Sequence, residues 1–169
     1  NQWVSTAKQM LFGQVGIDSI AGPSAVLIIA NDDANPAWVA ADMLSQAEHA
    51  PGSAIVMTDS ERLADKILGE LETQVKQLDR SDETLDCLIK YSGIAVFEEF
   101  DDVSEGANEL ATEHLQLQCG DKSNSIVDQI EKAGAIFVGP HSPVAVGDYW
   151  AGPSHTLPTG GGARFSSPL

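Results

Sequence analysis

Side chains able to bind a metal ion or move a proton occur near the end of a predicted helix, in the stretch SQAEHA. Asp42, Gln46 and His49 stand at positions i, i+4 and i+7, so they share one helical face, whereas Glu48 is predicted to point away from it. A cation beside His49 would also lie near the partial negative charge of the helix C-terminus. A solvated helix end has the same pattern, so this stretch alone leaves both interpretations open.

A second pair, Glu113 and His114, stands at the start of the alternating stretch HLQLQ. Adjacent strand residues point to opposite faces of a sheet. At the start of a strand, however, both side chains can lie beside the same cleft, on different sides of it. A carboxylate and an imidazole beside one cleft suit general acid–base catalysis near neutral pH. A surface pair at a sheet edge is the alternative.

A third group lies in the late stretch GDYWAGPSHTLPTGGG, where Asp148 and His155 are expected in a loop. Their oxygen and nitrogen atoms are ligands that suit zinc, although a flexible tail has the same composition. The TGGGA segment lacks the strand and helix of a phosphate-binding loop, and no GxGxxG occurs. Ser24 lies at a predicted turn before a strand, and His141 is expected on a loop surface.

The elements that must position these groups alternate between β-rich and helical stretches. This alternation predicts the α/β class: a mostly parallel, Rossmann-like but incomplete sheet with helices on both faces, followed by a long C-terminal loop. Ligands are expected at the carboxyl ends of such strands. Residues 1–169 are interpreted as one domain. The predicted strands cover 25–30, 54–58, 94–98, 114–118 and 135–139, and the predicted helices cover 35–49, 60–78, 81–91, 101–112 and 123–134.

Composition restricts the partners. The formal charge of −16 argues against binding to nucleic acid or to anionic membranes, and the apolar runs are too short to span a bilayer. Cys87 and Cys119 are interpreted as reduced thiols of a cytoplasmic protein. The sequence starts without Met and ends without a closing element, so we expect a piece of a longer protein.

Several motifs together resemble the histidinol dehydrogenase family: GIDSIAGPSAV, MLSQAEHAPGSAI, ATEHLQL and AGAIFVGPHSPVAVGDYWAGPSHTLPTGGGARFSS. Their order and spacing agree over the whole chain. The resemblance implies an NAD-dependent zinc enzyme that oxidises L-histidinol to L-histidine, the last step of histidine biosynthesis. The reaction would comprise two hydride transfers through histidinal, and the full-length enzyme would be a homodimer.

The resemblance also implies roles for individual residues. Gln46, His49 and Asp148 match the zinc ligands, which also bind the substrate, and Ser24 and His155 match further substrate contacts.

By the same resemblance, Glu113 matches the general base that activates water in the second oxidation. His114 matches a substrate-binding residue and the base that removes the alcohol proton. Asn1 stands where the family contacts NAD.

This chain departs from the family in two places, with Ala25 where Glu is usual and Thr112 where Pro is usual. It also lacks an upstream portion that supplies most of the NAD site and a downstream tail that completes the neighbouring subunit's site. We therefore expect the chain to be catalytically incomplete alone. Two alternatives remain: a zinc-dependent hydrolase in which Glu113 activates water, and a non-catalytic α/β dimerisation module.

Overall fold

A computed structural model describes residues 2–168 of the chain. Helices and strands alternate along most of it. The strands are β1 Ala25–Ala30, β2 Ser53–Thr58, β3 Gly93–Val96, β4 His114–Gln118 and β5 Ala135–Val138, and the helices are α1 Gln2–Met10, α2 Pro36–Ala47, α3 Glu61–Gln74, α4 Ser81–Tyr91, α5 Val103–Leu110, α6 Ser123–Val127 and α7 Val144–Tyr149.

The five strands form one sheet in the order β3-β2-β1-β4-β5, and every neighbouring pair is parallel. The α/β class and the predicted parallel sheet are therefore confirmed. At the centre, Val26 of β1 lies opposite His114 of β4, and Ala30 lies opposite Gln118. This register places His114, the first residue of β4, close to the turn that precedes β1.

Both faces of the sheet are covered, as expected for parallel strands with continuous apolar runs. Val26 and Ile28 point towards α2 and α3, where they pack with Met43 and Ile67. The alternate residues Leu27 and Ile29 pack in the other layer with residues from α5, α6 and β4, namely Val103, Ala107, Leu115, Leu117 and Ile126. The central strands are thus held between two apolar layers.

The two long helices after β1 and β2 begin at side-chain caps. Asn35 accepts a hydrogen bond from the backbone of Ala37, and Pro36 occupies the first turn of α2, where its missing N–H has no helical partner. Ser60 caps α3 by accepting from Leu63. Asn35 thus fixes where α2 begins, and Ser60 fixes where α3 begins.

The observed elements differ from the predicted ones in three places. The helix predicted over 123–134 ends at Val127 because Asn108 binds the next backbone groups: its amide accepts from the N–H groups of Glu131 and Lys132 and donates to the carbonyl of Gln129. The expected C-terminal loop contains α7, and α1 was not predicted because none of its residues is buried.

Both thiols are buried, and Cys119 donates to the carbonyl of Ile29. Burial raises the pKa of the Cys119 thiol to about 11, so this side chain behaves as part of the apolar layer. Within residues 2–168, no helix combines the length and the apolar character needed to cross a bilayer.

Gly134 occupies a close contact before β5. Its N–H donates to the carbonyl of Thr112, and the next N–H, of Ala135, donates to the carbonyl of Glu113. A Cβ atom added at Gly134 would lie 2.6 Å from the Glu113 carbonyl oxygen and 3.0 Å from its Cα. Only glycine lets these two backbones meet.

We predict that Gly134→Ala lowers the free energy of unfolding by about 1–3 kcal/mol, because the methyl group meets backbone atoms that cannot rotate away. The matched control is Gly69→Ala in α3, where no atom lies within 4 Å of the added Cβ. That change should raise stability by about 0.5–1 kcal/mol through helix propensity. Urea unfolding of both variants gives the comparison, and equal effects would contradict the contact described for Gly134.

Candidate active site

A polar cavity of about 300 Å³ opens where the amino ends of β1 and β4 meet the end of α2 and the start of α7. Five of the residues to which the family resemblance gives a role line it: Ser24, Gln46, His49, His114 and Asp148. They come from four separate stretches of the chain. The fold therefore brings together most of the side chains that were expected to act together.

The cavity does not lie at the carboxyl ends of the strands, where ligands were expected. Ser24 immediately precedes β1, and His114 is the first residue of β4. Helix α2 returns antiparallel to β1, as a crossover that connects the parallel neighbours β1 and β2 requires. Its last turn is therefore at the same end of the sheet as Ser24 and His114.

The end of α2 presents Gln46 and His49 to the cavity. The helix ends at Ala47, and His49 lies in the following turn, where its N–H donates to the carbonyl of Gln46. The Gln46 side chain is buried, and its Nε2 atom has no hydrogen-bond partner. Glu48 was predicted to point away, but it also lines the cavity.

Glu113 lies behind the cavity wall instead of lining it. Its Oε1 atom accepts a hydrogen bond from the Ser24 hydroxyl and lies 3.2 Å from Nδ1 of His114. That approach lacks the angle of a hydrogen bond, so Nδ1 has no partner, and neither does Glu113 Oε2. Glu113 and His114 are only 4% and 8% exposed. A small shift of either ring or carboxylate would join the two groups.

Asp148 reaches the cavity through the close packing of α7 on β5. The preceding residue, Gly147, is buried, and a Cβ atom there would lie 2.8 Å from Cε1 of Phe137. The Phe137 ring in turn lies 6.1 Å from the His114 ring, centroid to centroid. One aromatic side chain thus contacts both the imidazole and the helix that carries Asp148.

Three other predictions have different outcomes. His155 is exposed and does not line the cavity. His141 is exposed, as expected, and packs on Trp38 with the ring centroids 5.1 Å apart. Asn1 lies outside the described residues.

The largest polar network at the cavity was only partly predicted. Asp42, which shares a helical face with Gln46, accepts hydrogen bonds at Oδ2 from Nε2 of Gln116 at 2.5 Å and of Gln118 at 2.9 Å. Burial raises the pKa of Asp42, and these two hydrogen bonds oppose the rise. Gln116 and Gln118 were not singled out, although two amides on one face of a buried strand were a detectable signal.

Thr112, one of the two departures from the family, has a satisfied side chain in this fold. Its hydroxyl donates to the backbone carbonyl of His114 at 3.0 Å. A proline at this position would offer no such donor. The hydroxyl therefore helps to fix the backbone of the residue whose ring lines the cavity.

The donors around the cavity fit a divalent metal ion. Gln46, His49 and Asp148 supply an amide, an imidazole and a carboxylate, the last two being common zinc ligands, and Nε2 of the buried Gln46 amide has no hydrogen-bond partner within the protein. Within residues 2–168, no three His, Cys, Asp or Glu side chains are already arranged as a metal cluster. The predicted set contains only two residues of these types.

Comparison with known proteins gives one family. The family model described as histidinol dehydrogenase matches residues 1–169. Proteins named histidinol dehydrogenase from Oleidesulfovibrio alaskensis and Aquifex aeolicus are 54% and 46% identical to the whole chain. A relative from Rhodopirellula baltica is 45% identical. The chain spans only 36–40% of the length of these relatives.

A solved structure agrees with these matches. The crystal structure of histidinol dehydrogenase from Elizabethkingia anophelis superposes on the whole chain with a TM-score of 0.93 at 41% identity, and the chain covers 39% of that protein. The fold and the cavity thus define a parallel-sheet α/β protein with a histidine- and carboxylate-lined site. The chain belongs to the histidinol dehydrogenase family.

We predict that Asp42→Asn becomes more stable relative to wild type as pH rises above 3.8, the ordinary pKa of aspartate. Since the folded-state pKa is raised, the favourable contribution of protonated Asp42 is fully present below 3.8 and is lost as pH rises through the folded-state value. Asparagine cannot ionise and avoids this loss. Urea unfolding of both proteins between pH 3.5 and 7 measures the difference, and a pH-independent difference would contradict the prediction.

Proposed function

We propose that this chain is the metal- and substrate-binding part of a histidinol dehydrogenase, which oxidises L-histidinol to L-histidine through histidinal. The observation that carries the proposal is the convergence of Ser24, Gln46, His49, His114 and Asp148 on one cavity, in a chain that matches the family from end to end. In this proposal, residues 1–169 form one unit of a longer enzyme.

Gln46, His49 and Asp148 would hold zinc, because they contribute the oxygen and nitrogen donors of the cavity. The metal, when bound, would supply a positive centre that orients the substrate. The cavity wall provides no opposing positive charge, since among the described residues that line it there is no lysine or arginine. A cation would therefore meet the carboxylates of Asp42, Glu48 and Asp148 without competition from a basic side chain.

His114 would act as the base in the first oxidation. Its ring lines the cavity, and its Nδ1 atom lies 3.2 Å from Oε1 of Glu113. A carboxylate beside Nδ1 favours the proton on that nitrogen and leaves Nε2 able to accept one. The imidazole can then remove the proton of the substrate hydroxyl as a hydride leaves the adjoining carbon.

Glu113 would act in the second oxidation, in which water adds to the aldehyde carbon and a second hydride leaves. The carboxylate accepts a proton from that water, and Ser24 donates to its Oε1 atom and so fixes its orientation. Because Glu113 lies behind the wall formed by Ser24 and His114, one of these side chains must move for water to reach it. Because Ser24 lines the cavity, it would also contact the substrate.

The remaining parts of the proposal concern the rest of the enzyme. NAD would accept the hydride in each oxidation, with Asn1 as one contact, and His155 would reach the substrate from the segment after α7. We infer a cytoplasmic homodimer that binds neither nucleic acid nor membranes. Because the relatives are longer than this chain, we infer that turnover requires segments outside residues 1–169.

Zinc binding provides the first test of the proposed site. We predict that His49→Ala lowers zinc affinity at least about tenfold, because a direct ligand is lost, whereas His141→Ala leaves it unchanged. His141 is an exposed histidine that packs on Trp38 outside the cavity. Competition with a chromophoric chelator measures both affinities, and equal values for the two variants would refute the assignment of His49.

The role of Glu113 can be tested in a chimera in which this chain replaces the matching part of the relative from Oleidesulfovibrio alaskensis. We predict that Glu113→Gln slows NADH formation from histidinal by about 10²–10⁴-fold, since an amide cannot accept the proton from water. Oxidation of histidinol to histidinal should be affected much less. The matched control is Glu98→Gln, on the surface, and unchanged histidinal oxidation in the Glu113 variant would exclude the proposed base.

A further inference from the structure

A buried polar network joins α2 to β4 across an otherwise apolar layer. Both glutamine amides donate to the same oxygen of Asp42, and Gln116 and Gln118 are 0% and 2% exposed. Their neighbours in this layer are aliphatic residues such as Val26, Ile28 and Met43. The hydrogen bonds therefore fix the position of α2 along β4 in a way that apolar contacts alone would not.

This network carries a stability penalty that an apolar replacement would avoid. Oε1 of Gln116 and Oε1 of Gln118 are both buried without a partner, and burying such atoms is unfavourable. An ionised carboxylate accepts but cannot donate, so Asp42 draws the N–H groups of both amides and leaves their oxygens unpaired. Because these hydrogen bonds leave two buried oxygens unpaired, we look for their role at the cavity, which Asp42 and Gln116 line.

The network lies between the two sides of the proposed site. Asp42 is one helical turn before Gln46, and Gln116 is two residues after His114 on the same strand face. Asp42 and Gln116 both line the cavity, whereas Gln118 does not. The shared oxygen of Asp42 thus links the helix end that carries the predicted metal ligands to the strand that carries the predicted base.

The carboxylate also has a free oxygen. Oδ2 accepts both amides, while Oδ1 accepts no hydrogen bond and is not among the buried unpartnered atoms of the described residues. Since Asp42 lines the cavity, its negative charge lies beside the space that a cation would occupy.

We propose that Asp42 is a positioning residue of the metal site, which Gln116 and Gln118 hold in place so that it fixes the end of α2 and keeps a negative charge beside the cavity. This inference rests on the proposed metal site and adds to it a residue that does not ligate the metal. It deepens the proposed function by explaining how helix and strand are held in the arrangement that a divalent cation requires.

The test compares zinc affinity with stability in Asp42→Asn and Glu48→Gln. Each variant removes one negative charge from the same cavity, but only Asp42 belongs to the network. We expect Asp42→Asn to lower zinc affinity about tenfold, and more than Glu48→Gln does, with no loss of stability at pH 7. Asp42→Leu, which cannot accept from either glutamine, should lower the affinity further.

Chelator competition gives the zinc affinities, urea unfolding gives the stabilities, and the d–d spectrum of bound Co²⁺ reports the ligand geometry. A changed Co²⁺ spectrum in Asp42→Asn, but not in Glu48→Gln, would support positioning. Equal losses of zinc affinity in these two variants, or a loss of stability with unchanged affinity, would overturn the inference and leave the proposed function intact. Failure of the wild-type chain to bind zinc would overturn the inference and the proposed metal site together.

Discussion

The parallel pairing of β1 with β4 is the interaction on which the site depends. It joins stretches so distant that Ser24 and Glu113, 89 positions apart in sequence, form a hydrogen bond. The register from Val26 opposite His114 to Ala30 opposite Gln118 also decides which face of β4 meets α2. A shift by one residue would exchange the faces: His114, Gln116 and Gln118 would enter the apolar layer under α5, and Leu115 and Leu117 would face the cavity.

The direction of α2 then determines the chemical character of the cavity. Because the helix runs back from the carboxyl ends of the strands, its C-terminal carbonyls lie at the amino ends, beside His114. Those carbonyls carry partial negative charge, and α2 has no basic residue in its last turn to offset them. Asp42, Glu48 and Asp148 add full negative charges to the same cavity. Helix direction and side-chain charge therefore both favour a cation at this place.

Much of this arrangement could be predicted from local patterns, and the exceptions have identifiable causes. Apolar runs between turn residues located four of the strands, and the alternating stretch HLQLQ located β4, all to within two residues. The early end of α6 could not be predicted, since it depends on Asn108, which reaches its partners only after folding. The position of Asp148 likewise depends on the contact of Gly147 with Phe137, which no local pattern encodes. Resemblance to a family supplied the grouping of Gln46, His49 and Asp148, and spacing alone did not.

The cavity lies at the opposite end of the sheet from the carboxyl ends of the strands, where ligands were expected. The order β3-β2-β1-β4-β5 places the topological switch point between β1 and β4, where related sheets bind ligands at the carboxyl ends. Here Asn31, which follows β1, donates to the carbonyl of Cys119 and to the carboxylate of Asp33. Gly120 adopts a φ of +53° directly against Asp33. The crevice at the carboxyl ends of β1 and β4 is therefore closed by these hydrogen bonds and lined by the Asp33 carboxylate. A phosphate-binding loop would instead present backbone N–H donors. With that end filled, the cavity that gathers the predicted site residues lies at the amino ends, where the last turn of α2 and the first residue of β4 meet.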